Sequence, residues 1–312
     1  LEPKYVLSKE VPVNGKKIKT FIKNTLGPYI PGSEIKGALR TVFLFGVLKE
    51  NEILRNDFYK ILERKIREAN TKNQKKEKVK ILEKAIEEIE LLVFRAGKNN
   101  DQKDAQYDIF KALQISDSES LNYDYLFISS VKVLNSSREI RDYCEFLKPG
   151  KKINITIKLD ENALEGLKSL KIFNERLEIK NLEKLAFKFL KFLKESAINF
   201  YESLIKEDES FIEKKVQDLD VKKDLKNNLN ELKESLTEIK NRSKIIIPLR
   251  LGKHQGYLST TIMQIVKKEK PDLFEKVFRI SVPKERPEVN KTRKILDPES
   301  TFPGWCFLHI ED

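Results

Sequence analysis

The chain has 312 residues and a mass of 36.5 kDa, room for two ordinary domains or one large one and for a core that needs no disulfide or metal staple. Charged residues at 35% against 39% hydrophobic exclude disorder by composition, and no apolar run approaches the roughly 18 residues of a membrane-crossing helix. Lys and Arg outnumber Asp and Glu by 61 to 49, a net charge of +12 with a pI near 9.3, which points to a polyanionic partner, nucleic acid before membrane.

Residues 4–23 read as a β-hairpin, with Tyr5-Val6-Leu7 and Val11-Pro12-Val13 leading into an Asn14-Gly15 turn and Ile18 to Ile22 returning. Pro31-Gly32 then breaks the strand, Ser33 has the chemistry of an N-cap, and Ile35, Leu39, Val42, Phe43 and Val47 recur at helical spacing. Residues 55–94 read as a helical hairpin, broken at Asn70-Thr71-Lys72-Asn73-Gln74 and inserted into a smaller fold, and Gly97 to Asp104 as a loop. Residues 123–134 and the alternating Ile153, Ile155, Ile157 and Leu159 read as strands. Helices dominate from Asn162 to Lys240. A short buried strand follows at Lys244–Leu249, and a turn and closing strand end the chain around Trp305. Strands at both ends with helices between predict an α+β fold.

The Pro31-Gly32-Ser33 turn opening a helix is a candidate anion site. A helix start presents unpaired N–H groups and a partial positive charge; Gly32 would let a phosphate approach, Ser33 would donate, and Lys36 and Arg40 follow one and two turns in. The ordinary alternative is a capped helix with two solvated cations. The loop Gly252-Lys253-His254-Gln255-Gly256-Tyr257, just after Arg250, offers glycine freedom, a cation for phosphate and a ring for stacking on an unpaired base. It lacks the Gly-Lys-Ser/Thr ending of a P-loop, and the alternative is a strand-to-helix turn with Tyr257 in the core. His254 could act as an acid or base on RNA, but no second histidine or carboxylate lies nearby in sequence, which favours a hydrogen-bonding role. His309 on the closing strand reads as structural. Asp117 and Ser118 read as turn or capping residues. Cys144, Cys306, His254 and His309 give no metal ligand set, and neither a disulfide, a metal nor another cofactor is expected. No signal peptide opens the sequence, which begins at Leu1 and is expected to start inside a longer, cytoplasmic chain.

Ile30-Pro31-Gly32-Ser33-Glu34-Ile35-Lys36-Gly37-Ala38-Leu39-Arg40 closely resembles the I-P-G-S-x-[IL]-K-G-x-[LI]-R signature of the RAMP (repeat-associated mysterious protein) superfamily of CRISPR systems. Phe110 to Ser118 is similar to its F-x-x-L-x-[VI]-S-D-S segment, and Glu145 to Gly150 to its E-x-[IL]-x-P-G turn. Arg250 through Tyr257, with Lys291-Thr292-Arg293 and Gly304-Trp305, looks most like the RAMP subunit that caps the backbone filament of type III-A (Csm) effector complexes. The resemblance implies two ferredoxin-like (RRM-like) domains, residues 1–160 with a helical insertion at 52–96 and residues 161–312 with a helical region at 162–240. It implies a first strand and glycine turn before Leu1. It also implies a non-catalytic subunit that binds guide RNA toward its 3′ end, contacts backbone subunits, assists guide maturation in antiviral defence and works beside recruited host nucleases. The residues whose chemistry agrees with that role are Gly32, Ser33, Lys36, Arg40, Arg250, Gly252, Lys253, His254, Gln255, Gly256 and Tyr257. The competing expectation is a RAMP endonuclease that cuts precursor RNA with His254 as acid or base.

Overall fold

Helix α1 (Gly32–Glu50) runs through the centre of the molecule because its apolar residues recur all round it: Leu39, Val42, Phe43, Val47 and Leu48 are at most 2% exposed. The computed structural model describes residues 7–9, 11–13, 15, 17–95, 108–136, 140–164, 182–281 and 292–311. Asn51 ends α1 and caps the next helix with its side chain, giving α2 (Glu52–Asn70), which a turn at Thr71 separates from α3 (Lys75–Phe94). The helical hairpin read from the sequence is therefore present, with its break where the polar run falls. The loop read at Gly97–Asp104 lies outside the described residues.

The largest sheet is built around β4 (Leu126–Leu134). On one side β5 (Arg141–Leu147) pairs with it antiparallel; on the other, β1 (Ser8–Lys9) lies parallel beside Phe127–Ile128 and β8 (Arg293–Asp297) antiparallel beside Ser130–Leu134. Strand β2 (Ile18–Lys19) pairs parallel with β5 at Tyr143–Cys144. This corrects the N-terminal hairpin. Gly15 does adopt the positive φ of a turn, +67°, but the strands flanking it reach opposite edges of the sheet, with β4 and β5 between them. Part of that segment, Asn14 included, lies outside the described residues. Two further antiparallel pairs join β3 (Leu113–Ile115) to β6 (Ile157–Leu159) and β7 (Ile246–Arg250) to β9 (Trp305–His309). Of the alternating stretch at 153–159, only the last three residues form strand.

After a single helical turn, α4 (Glu161–Leu164), the 34-residue α5 (Leu182–Lys215) crosses α1, and α6 (Leu219–Asn241) returns along it. The crossing is close. A Cβ at Gly46 would lie 2.0 Å from the Ser196 hydroxyl, so only glycine fits there. Phe43 gathers Phe94, Phe110, Phe189 and Phe192 at ring-centroid distances of 5.3–5.7 Å, a cluster that joins α1, α3 and α5. The buried Lys194 ammonium donates to the carbonyls of Arg242 (2.6 Å) and Lys244 (3.0 Å), satisfying acceptors at the α6 C-terminus. Helices α7 (Met263–Glu269) and α8 (Pro271–Ser281) close over α2 and α3, where Tyr59 donates to Glu269 at 2.9 Å. Among the described residues the main apolar core runs from Ile35 to Phe302, and β8 shares the sheet of the N-terminal strands. Among the described residues no helix is long and apolar enough to cross a membrane.

Candidate nucleic-acid interface

Two segments 85 residues apart build the start of α1. The residue before its first turn is Pro31, which has no side chain able to cap. The expectation that Ser33 caps the helix is thereby corrected: the Gly32 N–H donates to Asp117 Oδ1 at 2.8 Å. Beside it the Ile30 N–H donates to Ser118 Oγ at 2.9 Å, and the Ser118 N–H returns to the Ile30 carbonyl at 3.0 Å. Asp117 and Ser118 are the capping residues their chemistry suggested. The space at Gly32 is filled by protein, since a Cβ there would meet the carbonyl oxygens of Ile115 at 2.3 Å and Ser116 at 2.5 Å. Its missing side chain is taken up by close packing of α1 on the end of β3.

Ser33 stays exposed and Lys36 half-buried. Burial pushes the Lys36 ammonium below the usual lysine range; Asp108 opposes this, and Arg40 adds to it. Arg40 turns inward. It donates to Asp108 Oδ2 at 2.7 Å and Glu90 Oε2 at 3.3 Å, and its guanidinium sits 3.6 Å above the Phe94 ring. It is not the solvated cation the spacing suggested.

The glycine-flanked loop lies against this helix start, for the Gly252 N–H donates to Glu34 Oε1 at 3.0 Å. Gly252 and Gly256 hold φ of +93° and +89°, a region glycine enters without strain. Gln255 Nε2 closes the turn on the Gly252 carbonyl at 2.7 Å. Lys253 is exposed. Tyr257 stands in a one-turn 3-10 segment, 40% exposed, with its ring edge-on to Phe278 at 5.9 Å; it is therefore neither a core ring nor a free one.

The two remaining loop candidates face inward. Arg250 is 2% exposed; its Nε donates to the Pro303 carbonyl at 2.8 Å and its NH1 lies 3.9 Å from Asp208 Oδ2. His254 is 5% exposed, with Nε2 3.4 Å from Cys144 Sγ and Nδ1 3.4 Å from Lys294 Nζ. Because an ammonium only donates, Nδ1 is the acceptor and Nε2 carries the hydrogen. Burial, with Lys294 next, pushes its pKa down to about 4, while Asp142 pulls upward and Lys19 and Lys253 push further down. A histidine held neutral by the fold adds stability above its unfolded pKa, near 6.5, and that stability is lost as pH falls toward the folded value. We expect denaturation midpoints of the wild-type chain to fall between pH 6.5 and about 4, and a His254→Leu variant to lose that part of the slope. A variant with the same pH profile would remove His254 from the titration.

Asp208 went unread in the sequence. It lies on α5 at 1% exposure and accepts from Arg293 Nε at 2.5 Å besides facing Arg250. Its signal is present: Ile205, Asp208 and Ile212 fall on one helix face, and all three are buried. A charge at an apolar-face position implies a partner inside. Cys144 and Cys306 are free thiols. Among the described residues no group of three His, Cys, Asp or Glu side chains is placed to hold a metal ion.

This pairing of a Pro-Gly-Ser helix start with a Ser-Asp-Ser strand end belongs to a known class. The chain is a member of the RAMP superfamily, whose sequence profile matches residues 12–252. Within a shorter stretch it is similar to the CRISPR system Cms protein Csm5 of Methanocaldococcus jannaschii, 37% identical over 114 residues, which is 36% of this chain and 21% of that protein. Its fold is similar to a chain of the type III-A Csm–crRNA–target RNA ternary complex (TM-score 0.66, 24% identity, 94% of this chain and 75% of that one). It is similar also to T. onnurineus Csm5 (TM-score 0.62, 22% identity, 98% and 78%).

Proposed function

We propose that this chain is a non-catalytic RNA-holding subunit of a type III-A CRISPR ribonucleoprotein. It would act in the cytoplasm, at the end of the backbone filament, on the guide RNA toward its 3′ end. The observation that carries this reading is the Glu34–Gly252 contact, which joins two distant glycine segments into one face. That face leaves Ser33, Lys253 and Tyr257 exposed and Lys36 and Gln255 half-exposed. Guides differ in sequence, so their holder needs groups that grip phosphates and ring faces without reading base edges. Asp117 and Glu34 already occupy backbone donors there, so the phosphate contacts fall to the lysines and the Ser33 hydroxyl. Gly32, Gly252 and Gly256 shape the face, and Arg40, Arg250 and His254 hold it from beneath. Likeness to Csm5 and to a chain of a Csm–crRNA–target RNA complex supports a place in such a complex beside crRNA and other Csm subunits; the position at the filament end and a part in guide maturation beside recruited nucleases are what the resemblance to RAMP proteins implies. The two ferredoxin-like modules, residues 1–160 and 161–312, belong to the same proposal; the β4–β5 sheet, which β8 of the second segment joins, and the β7–β9 pair are their candidate cores.

Lys36→Glu and Lys253→Glu should each weaken binding of a single-stranded RNA in a filter assay and lower the salt dependence of log K by about 0.7 per lost phosphate contact. Unchanged affinity in both variants would sink the reading. The endonuclease alternative is not favoured: a buried, neutral His254 between a thiol and an ammonium is placed to hold a loop, not to relay protons. Defined cleavage of precursor RNA that His254→Ala abolishes would reverse that judgement.

A further inference from the structure

The tip of the α2–α3 hairpin has a charge pattern that its own helix does not favour. Residues 71–80 hold five lysines and one glutamate, a net +4. Lys72, Lys75, Lys76 and Lys80 are exposed and Lys78 is half-buried. Among the described residues none of the five is ion-paired. The body of the hairpin differs, since Arg64 and Lys65 both pair with Glu88, and Lys60 pairs with Asp57. Charge along α3 is also reversed relative to what a helix prefers. Lys75, Lys76, Lys78 and Lys80 crowd its N-terminal half, while Glu83, Glu87, Glu88 and Glu90 crowd the other. A helix is stabilised by acids at its start and bases at its end, so these lysines work against α3. Residues that break a local rule without a local gain mark a partner.

We propose that this tip is a second, sequence-independent RNA contact. It lies one helix length, about 30 Å, from the end of α3 that packs under Arg40. Clustered, unpaired ammonium groups fit the phosphates of a strand, and no aromatic ring in residues 71–80 offers a base-stacking face. The partner class is that of the reading above, but the surface is separate, and the two fail separately.

The test is a chain with Lys72, Lys75, Lys76 and Lys80 replaced by glutamine, titrated with a long and a short single-stranded RNA over a range of salt. Each lysine is also replaced singly, should the combined variant be poorly soluble. On the long RNA the slope of log K against log salt should fall by about 2.8 when all four contacts are lost, with an unchanged or higher Tm. On an RNA too short to reach both surfaces, the Lys36→Glu, Lys253→Glu double variant should keep the tip's share of binding. A combined variant with wild-type slope overturns the proposal, and so does one that loses binding only to polyglutamate, which would make the tip a dock for an acidic protein. If the tip variant loses slope while the double variant does not, the tip stands and the helix-start interface falls.

Discussion

Replacing Asp208 with asparagine should cost the fold about 3–5 kcal/mol, the toll of breaking a buried ion pair from one side. The side chains of Asp208 and Arg250 are each 2% exposed and that of Arg293 is 11%. Arg250 sits between Phe302 and Trp305, 5.6 Å from each ring centre, with one further bond to the Pro303 carbonyl. The Arg250 guanidinium cannot reach bulk water without moving the strand that carries it, so a neutral amide in place of the Asp208 carboxylate leaves that buried cation with too little compensation. The network ties α5 to β7 and β8, and β7 leads directly into the Gly252–Tyr257 loop. Chemical denaturation of Asp208→Asn should therefore show a much lower midpoint, and weaker RNA binding with it. A variant replacing Asp208, Arg250 and Arg293 together by Leu, Met and Met should recover much of the loss, because apolar packing substitutes well for a buried pair. An unchanged midpoint for the single variant would mean that Asp208 carries no such charge.

The sequence made the local features legible and left the long-range ones hidden. Helix α1 could be read because Pro31-Gly32 halts a strand and Ile35, Leu39, Val42 and Phe43 follow at one spacing. The α2–α3 break was legible for the same reason. The Gly15 turn was equally legible, yet turn chemistry does not say which strand lies next to which; the β4–β5 pair occupies the space between. Charges misled most. Lys36 and Arg40 looked alike as cations one turn apart, but Asp108 and Glu90 arrive on Arg40 from 68 and 50 residues away. Arg250 and His254 sit in a stretch polar enough to pass for a surface loop, while their partners Asp208, Cys144 and Lys294 lie on other elements. The resemblance to RAMP proteins pointed to the candidate interface; it did not sort its exposed residues from its buttresses.

The glycines of the helix-start motif separate packing from RNA contact. At Gly32 a Cβ would strike two backbone carbonyls, of Ile115 and Ser116, which cannot rotate away as a side chain would. Ser116 is pinned in turn, its N–H on the Thr156 carbonyl and its Oγ accepting from the Thr156 N–H, both at 2.9 Å. Gly32→Ala should push α1 off β3, break the Asp117 and Ser118 contacts, cost about 1–3 kcal/mol of stability and weaken RNA binding. At Gly37, five residues on in the same motif, a Cβ meets nothing within 4 Å. There alanine should raise stability by about 0.5–1 kcal/mol, as in any helix interior. RNA affinity in Gly37→Ala is then the informative number. Unchanged affinity confines the strand to the first turn and the loop beside it, whereas a loss at raised Tm puts the strand against the Gly37 backbone, a step further along α1. If Gly32→Ala is as stable as wild type, α1 does not start pressed against β3, and the interface built on that contact has to be redrawn.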